Sequence, residues 1–147
     1  MHRAILLVGS NILPEENIPT CIALLQEHCR VVSISTIWET QAVGSAGPNF
    51  LNAALLVETG MAREDFKWQV LRPGEEQMGR VRSTDKNAPR TIDIDIILWD
   101  GQVVDANLWK YDYVALPVSA LAPDIVEPGT GRTLAAVARD LGELSAA

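Results

Sequence analysis

Residues 92 to 98 read Ile-Asp-Ile-Asp-Ile-Ile-Leu, alternating branched aliphatic side chains with acids at a period of two. That period fits a half-buried strand, in which successive side chains point to opposite faces. Residues 91 to 99 are therefore predicted to be a strand. Ile92, Ile94, Ile96 and Leu98 should face a core, and Asp93 and Asp95 should share the other face. Any fold for this chain must bury one side of this strand and leave room for two carboxylates on the other.

The rest of the chain supplies the neighbours. The apolar run over residues 3 to 8 stops at Gly9-Ser10-Asn11, as a buried strand ending in a turn would. Ile18, Ile22, Leu25 and Cys29 recur at helical spacing, with Asn17 as the expected cap and Pro19 acceptable only in a first turn. Residues 31 to 40 and 50 to 58 are predicted as strands, separated by a loop containing Gly44, Gly47 and Pro48. A helix is predicted over residues 62 to 78 and should break or kink at Pro73-Gly74, displacing Glu75. A short helix near 133 to 142 closes a C-terminal extension. The order is βαββαβ with that extension, and the helices are expected to cover one face. It predicts an α+β ferredoxin-like sandwich, with residues 1–147 as a single domain.

Composition narrows the function classes. The chain has 147 residues, 48% of them apolar and 21% charged, which suits an ordinary globular domain. Its longest apolar runs, such as residues 4 to 8, hold five residues, against the roughly 20 that a spanning helix needs. The start of the chain lacks the pattern of a signal peptide, so a cytoplasmic protein is expected, with no membrane association. The net charge of −7 argues against a general nucleic-acid binder. Cys21 and Cys29, eight residues apart on one expected helix, would be separated by about 12 Å of rise and should be reduced.

The acid pair sits beside a basic stretch. Between residues 80 and 90, Arg80, Arg82, Lys86 and Arg90 oppose the single acid Asp85, four against one, for a local net of +3. Two carboxylates on one strand face, roughly 7 Å apart at Cα, can converge on Mg²⁺, which commonly takes one or two carboxylates along with substrate phosphate oxygens. Arginine forks would hold the remaining phosphate oxygens. The same residues also allow a solvated acidic face and a loop of surface ion pairs. No Gly-x-x-x-x-Gly-Lys-Ser/Thr loop occurs, so a nucleotide would not be held by a P-loop. On the strand over residues 50 to 58, Leu51, Ala53, Leu55 and Val57 point one way and Phe50 and Asn52 the other. An aromatic ring beside an amide suits a flat heterocycle, although such a pair also occurs incidentally.

The stretch Lys86-Asn87-Ala88-Pro89-Arg90-Thr91-Ile92-Asp93-Ile94-Asp95-Ile96-Ile97 resembles the signature of the 6-hydroxymethyl-7,8-dihydropterin pyrophosphokinase family of folate biosynthesis. Phe50-Leu51-Asn52-Ala53-Ala54 is similar to that family's Tyr/Phe-Leu-Asn-Ala motif, and residues 75 to 82 are similar to its Glu-x-x-x-Gly-Arg-x-Arg stretch. Gly9-Ser10-Asn11 and residues 40 to 44 fit its loops. The resemblance implies a Mg²⁺-dependent transfer of diphosphate from ATP to the pterin hydroxymethyl group, with release of AMP. It implies that Asp93 and Asp95 bind two Mg²⁺ ions. Thr40, Val43, Phe50, Asn52 and Tyr113 would hold the pterin. Glu75, Arg82, Arg90, Ile96 and Lys110 would serve the nucleotide, with Arg80, Arg82 and Arg90 assisting catalysis. The partners are then two small molecules, pterin and ATP, with no nucleic acid and no obligate protein.

The chain departs from that pattern after the acidic strand. Residues 107 to 117 contain neither the histidine nor the arginines that the family carries there, and Lys110 is their one cation. Asn87 stands where the family has a tryptophan. The ATP side is expected to be more open and less positive than is usual for the family, and the pterin side better preserved. A pterin-binding homologue with weak transfer is therefore an alternative, and a ferredoxin-like RNA-binding module is a more distant one. Residues 81 to 88, polar over 83 to 87, are expected to form a mobile loop that orders over substrate.

Overall fold

In a computed structural model of the chain, residues 1 to 40, 49 to 80 and 91 to 146 are described. Strand β1 (His2–Ser10) is followed by α1 (Pro14–Gln26), β2 (Arg30–Ile34), β3 (Trp38–Thr40) and β4 (Phe50–Thr59). A second helical stretch runs without interruption through α2 (Arg63–Phe66), a π-helical segment (Lys67–Leu71) and α3 (Arg72–Gln77). Strands β5 (Asp93–Trp99) and β6 (Gln102–Val103), a 3₁₀ turn (Ala106–Trp109), α4 (Asp112–Leu121) and α5 (Leu134–Ala146) complete the chain.

The strands form one sheet in the order β2-β4-β1-β5-β6, with β3 also paired to β4, and every pairing is antiparallel. This is the α+β ferredoxin-like arrangement expected from the element order. The hairpin from β5 to β6 turns through Asp100 and Gly101, both at positive φ (49° and 81°). Asp-Gly is the two-residue sequence that favours a type I′ turn, a signal that the strand prediction ending at residue 99 left unused.

The sheet is covered on both faces, not one. Ala4, Leu6, Val8, Leu55, Val57, Ile92, Ile94 and Ile96 pack against Ile18, Cys21 and Leu25 of α1 and against Phe66, Val70 and Leu71. On the other face Ile5, Leu7, Ala54 and Ile97 meet Val114, Ala115 and Val118 of α4 and Leu134 and Ala138 of α5. Helix α4, which carries Pro117 in its interior, was not among the predicted elements, although Val114, Ala115 and Val118 have helical spacing. Leu98 also departs from expectation. The register of β1 against β5 shifts between Ile5 and Leu6, leaving Ile97 as an extra residue, so Leu98 joins the second layer with it.

Three local expectations are corrected. Helix α1 starts at Pro14, not at an Asn17 cap; Asn17 lies inside it and donates through Nδ2 to Ile12 O at 2.5 Å. Pro14 at the first helical position loses no helix bond and has a suitable φ. Pro19 lies in the helix interior, and Cys29 falls beyond the helix end; both cysteines are free thiols. The expected break at Pro73 is absent. The π segment shifts the hydrogen-bond register, Arg72 N donating to Lys67 O. Pro73 thus enters the first turn of α3, where a missing N–H costs little. Gly74 is buried because a Cβ there would come within 3.0 Å of Leu24 Cδ2, so its small size sets the approach of α3 to α1.

Because Pro73 occupies a first-turn position, Pro73→Ala should change stability by less than about 1 kcal/mol, well short of the roughly 3 kcal/mol that relieving an interior helix proline would yield. Urea unfolding of the two proteins measures the difference.

Candidate functional site

Strand pairing assembles the site. Gly9 of β1 pairs with Asn52 of β4 on one side and with Asp93 of β5 on the other. Trp38 of β3 pairs with Asn52 in turn. Paired residues of an antiparallel sheet share a face, so Trp38, Asn52, Gly9 and Asp93 form one row across four strands. Phe50 and Thr40 are paired one step along on the same face, while Asp95 belongs to the row of Leu7 and Ala54. The amide and the first carboxylate therefore lie two strand spacings apart, roughly 10 Å. Between them is a residue without a side chain. A Cβ on Gly9 would stand 2.7 Å from Asn52 Oδ1 and 3.7 Å from Phe50 Cδ1. The glycine leaves a bare floor between amide and acid.

Asn52 is 3% exposed, and its Nδ2 donates to Thr40 Oγ1 at 2.8 Å. That bond fixes the amide orientation and joins β3 to β4 on the side where Phe50 stands half-buried. Trp38 Nε1 is buried without a hydrogen-bond partner among the described residues, a second donor on the same row.

The acidic end is held by an ion network. Glu75, brought in by α3, is 1% exposed. Its Oε1 accepts from Arg72 Nη1 at 2.9 Å, and its Oε2 accepts from Arg80 Nη1 at 2.7 Å and from the backbone N–H of Ile94 at 2.8 Å. Arg80 Nη1 also donates to Asp93 Oδ1 at 2.7 Å. Arg72 Nη1 donates to the Ile94 carbonyl at 2.9 Å, while its Nη2 lies 3.8 Å from Asp95 Oδ1. Glu75 and Arg80 thus belong with Asp93 and Asp95 in one network.

That positive charge is not enough for Asp95. Burial, followed by the neighbouring Asp93 carboxylate, raises its pKa to about 7 against the opposing pull of Arg72, and Glu75 and Asp105 add to the rise. The Asp95 side chain is still 41% exposed, against 19% for Asp93. Two oxygen-only donors with surplus negative charge and one accessible edge suit a hard divalent cation, which needs only one or two protein carboxylates when phosphate supplies the remainder. Among the described residues, no group of three or more His, Cys, Asp or Glu is placed to hold a metal by itself.

Tyr113, near the start of α4, stacks on Tyr111 with centroids 5.4 Å apart. Burial, then Tyr111 and the carboxylates of Asp105, Asp95 and Asp93, push its phenol pKa up. The ring therefore belongs to the neighbourhood of the acid pair. Lys110 is exposed in the turn before α4. The Ile96 side chain, at 9% exposure, packs in the layer beneath α1, on the face opposite the acids, as its parity with Ile92 and Ile94 predicts. Val43, Arg82 and Arg90 lie outside the described residues, as does the loop expected over residues 81 to 88. Arg72 and Trp38 were missed in the sequence. Arg72 reads as an ordinary exposed helix arginine, and only its spacing of three from Glu75 hinted at a pair.

Comparison with known proteins is consistent with this geometry. A family model described as 7,8-dihydro-6-hydroxymethylpterin-pyrophosphokinase matches residues 5–123. The 2-amino-4-hydroxy-6-hydroxymethyldihydropteridine pyrophosphokinase of Synechocystis is 30% identical over 144 residues, covering 90% of this chain and 73% of that protein. The Pseudomonas aeruginosa protein of the same name is 30% identical over 140 residues, with 87% and 85% covered. The folic acid synthesis protein fol1 of Schizosaccharomyces pombe is 33% identical over 143 residues, covering 89% of this chain. The chain spans only about a fifth of that protein, 19%, and 20% of its Dictyostelium discoideum counterpart. The Plasmodium falciparum HPPK-DHPS crystal structure superposes with a TM-score of 0.74 at 11% identity, covering 95% of this chain and 43% of that one.

Two outcomes are expected. Gly9→Ala should disturb the Asn52 amide and weaken heterocycle binding by tenfold or more, the roughly 1.4 kcal/mol of one mispaired amide, as titration calorimetry would measure. The raised Asp95 pKa implies that, without divalent cations, stability falls as pH rises from about 4, the unfolded carboxyl value, toward about 7, because the native state resists ionisation. In EDTA, Asp95→Asn should be more stable than the parent at pH 8, and the difference should shrink as pH falls and vanish at about pH 4; equal pH profiles in thermal unfolding would refute this.

Proposed function

The chain belongs to the 7,8-dihydro-6-hydroxymethylpterin-pyrophosphokinase family, and we propose on that basis that it transfers the β,γ-diphosphate of ATP to the hydroxymethyl group of 6-hydroxymethyl-7,8-dihydropterin. The hydroxymethyl oxygen attacks the β-phosphorus, the bond from that phosphorus to the α,β-bridging oxygen breaks, AMP departs, and the hydroxyl proton is lost. The observation that carries this reading is the row Asn52–Gly9–Asp93. It sets a heterocycle-binding amide and a phosphate-end carboxylate on one face, with an open floor between them.

Roles follow from position. Asn52, oriented by Thr40, pairs with the ring edge of the pterin, and Phe50 stacks on its face. Val43 and Tyr113 complete the pocket, as the family resemblance implies. Asp93 and Asp95 hold Mg²⁺, two ions in the reading inherited from the family. A divalent cation held by Asp93 and Asp95 would supply charge neutralisation to the phosphate oxygens. Arg80 holds Asp93 in place, and Glu75 ties Arg80 to the strand. Arg82 and Arg90 are proposed to grip the triphosphate, with Lys110 contributing from the other side. Orientation and charge stabilisation are then the enzyme's main contributions, without a covalent intermediate.

Among the described residues, no helix is long and apolar enough to cross a membrane, and both substrates are soluble metabolites; the reaction is assigned to the cytoplasm and to residues 1–147 acting as one domain. A pterin-binding homologue with slow transfer is the second reading. It is favoured by one observation: the turn before α4 offers the exposed Lys110 and no arginine. Family membership leaves the RNA-binding alternative without support.

Incubation with ATP, Mg²⁺ and the reduced hydroxymethylpterin should yield AMP and the pterin diphosphate. Asp95→Ala should lower the rate by a hundredfold or more, the usual cost of losing a group that stabilises transition-state charge. Pterin binding without AMP formation would select the binding module. Absence of pterin binding would overturn both readings.

A further inference from the structure

Strand β5 is covered unevenly. On one side β1 pairs with it from Asp93 to Trp99, but on the other β6 reaches only Leu98 and Trp99. The edge beside Asp93, Ile94 and Asp95 therefore has no strand neighbour among the described residues. An open edge leaves backbone N–H and C=O groups without partners, a state that native folds avoid when those groups are buried. Ile94 is fully buried. Its N–H donates to Glu75 Oε2 at 2.8 Å and its C=O accepts from Arg72 Nη1 at 2.9 Å, while Arg72 Nη1 also donates to Glu75 Oε1 at 2.9 Å. The carboxylate and guanidinium offer Ile94 one acceptor and one donor, as a neighbouring strand would. Helix α3 supplies both from positions three apart.

We propose that Arg72 is a positioning residue for the metal-binding carboxylates: with Glu75 it replaces the missing strand along the open edge of β5 and fixes Ile94, and with it the direction and spacing of Asp93 and Asp95. The inference rests on the reading of those two aspartates as a divalent-cation site. Arg72 is only 17% exposed at its side chain, so it is packed in place. Its Nη2 stays 3.8 Å from Asp95, too far for a hydrogen bond. The contact steadies the carboxylate without occupying the oxygen that a cation needs. Arg80 acts on the neighbouring residue, reaching Asp93 directly. The two arginines, joined through Glu75, hold both ligands, Arg72 from the start of α3 and Arg80 from beyond its end.

Positioning and simple electrostatics make opposite forecasts. Arg72 places a positive charge beside the site, so deleting that charge should tighten cation binding if Coulomb repulsion were its only effect. If Arg72 positions the ligands, its loss should weaken binding, as loss of groups supporting metal ligands typically does by 10- to 100-fold. The experiment is Mn²⁺ binding to the full chain without nucleotide, followed by electron paramagnetic resonance, for the parent, Arg72→Met and Arg72→Lys. Amide hydrogen exchange at Ile94 is measured in parallel. Arg72→Met should weaken Mn²⁺ binding about tenfold or more and speed exchange at Ile94. Arg72→Lys, which keeps the charge but cannot fork, should recover only part of either. If Arg72→Met does not fold, the same two readouts on Arg72→Lys decide: parent-like Mn²⁺ affinity and exchange would overturn the proposal, and weakened binding with faster exchange would support it. A folded Arg72→Met protein that binds Mn²⁺ as tightly as the parent, or more tightly, also overturns it. Failure of the parent itself to bind Mn²⁺ both alone and with a non-hydrolysable ATP analogue would remove the metal reading beneath it, a result distinct from a change confined to the variants.

Discussion

A carboxylate that is 1% exposed, Glu75, must be fully compensated or the core cannot form around it. Its partners are Arg72, Arg80 and the backbone of Ile94. Removing one member of such a network strands the others in low dielectric, which commonly costs several kcal/mol. The network joins α3 to β5 at the residue between the two aspartates. The requirement that buries Glu75 therefore also aligns the helix that carries it with the strand that carries the acids. Even the π segment serves this fit. It shifts register by one residue, so that Pro73 falls harmlessly in a first turn while Glu75 faces inward.

The other half of the site depends on the central strand. β1 lies between β4 and β5, so its register sets Asn52 opposite Asp93. Gly9 completes the arrangement by omission, since a methyl group there would collide with the Asn52 amide. A recognition end and a charged end are thus built on rigid strands, with Thr40 locking the amide and Arg80 locking the first acid. The acid pair keeps an excess of negative charge that shows in the raised Asp95 pKa of about 7. A site that lowers its own stability in this way would be stabilised by any cation that binds the folded state there.

Much of this was legible before folding. Alternation placed Asp93 and Asp95 together, and Phe50 and Asn52 together, because side-chain direction in a strand follows from parity alone. Parity also misled once. The bulge at Ile97 reverses the direction of Leu98, and a bulge depends on the pairing partner, not on the strand's own sequence. Proline was read too locally as well. Pro73 looked like a helix breaker, but a π turn absorbs it. Helix α4, which continues through Pro117, and the second face of the sheet that it covers were not read from the sequence.

The sequence by itself determined the βαββαβ order of the core elements, the shared face of Asp93 and Asp95, the shared face of Phe50 and Asn52, and the likeness to the family. All of these rest on period, spacing and residue type, which are local quantities. Only the tertiary structure decided that Asn52 and Asp93 share a row across Gly9, and that Arg72 and Glu75 close the open edge of β5. It also decided that Leu98 joins the layer under α4 and that Tyr113 lies within electrostatic reach of the acids. These are distances between segments far apart in the chain. They are set by strand register and by the need to pair every buried charge, and neither can be evaluated until the segments meet.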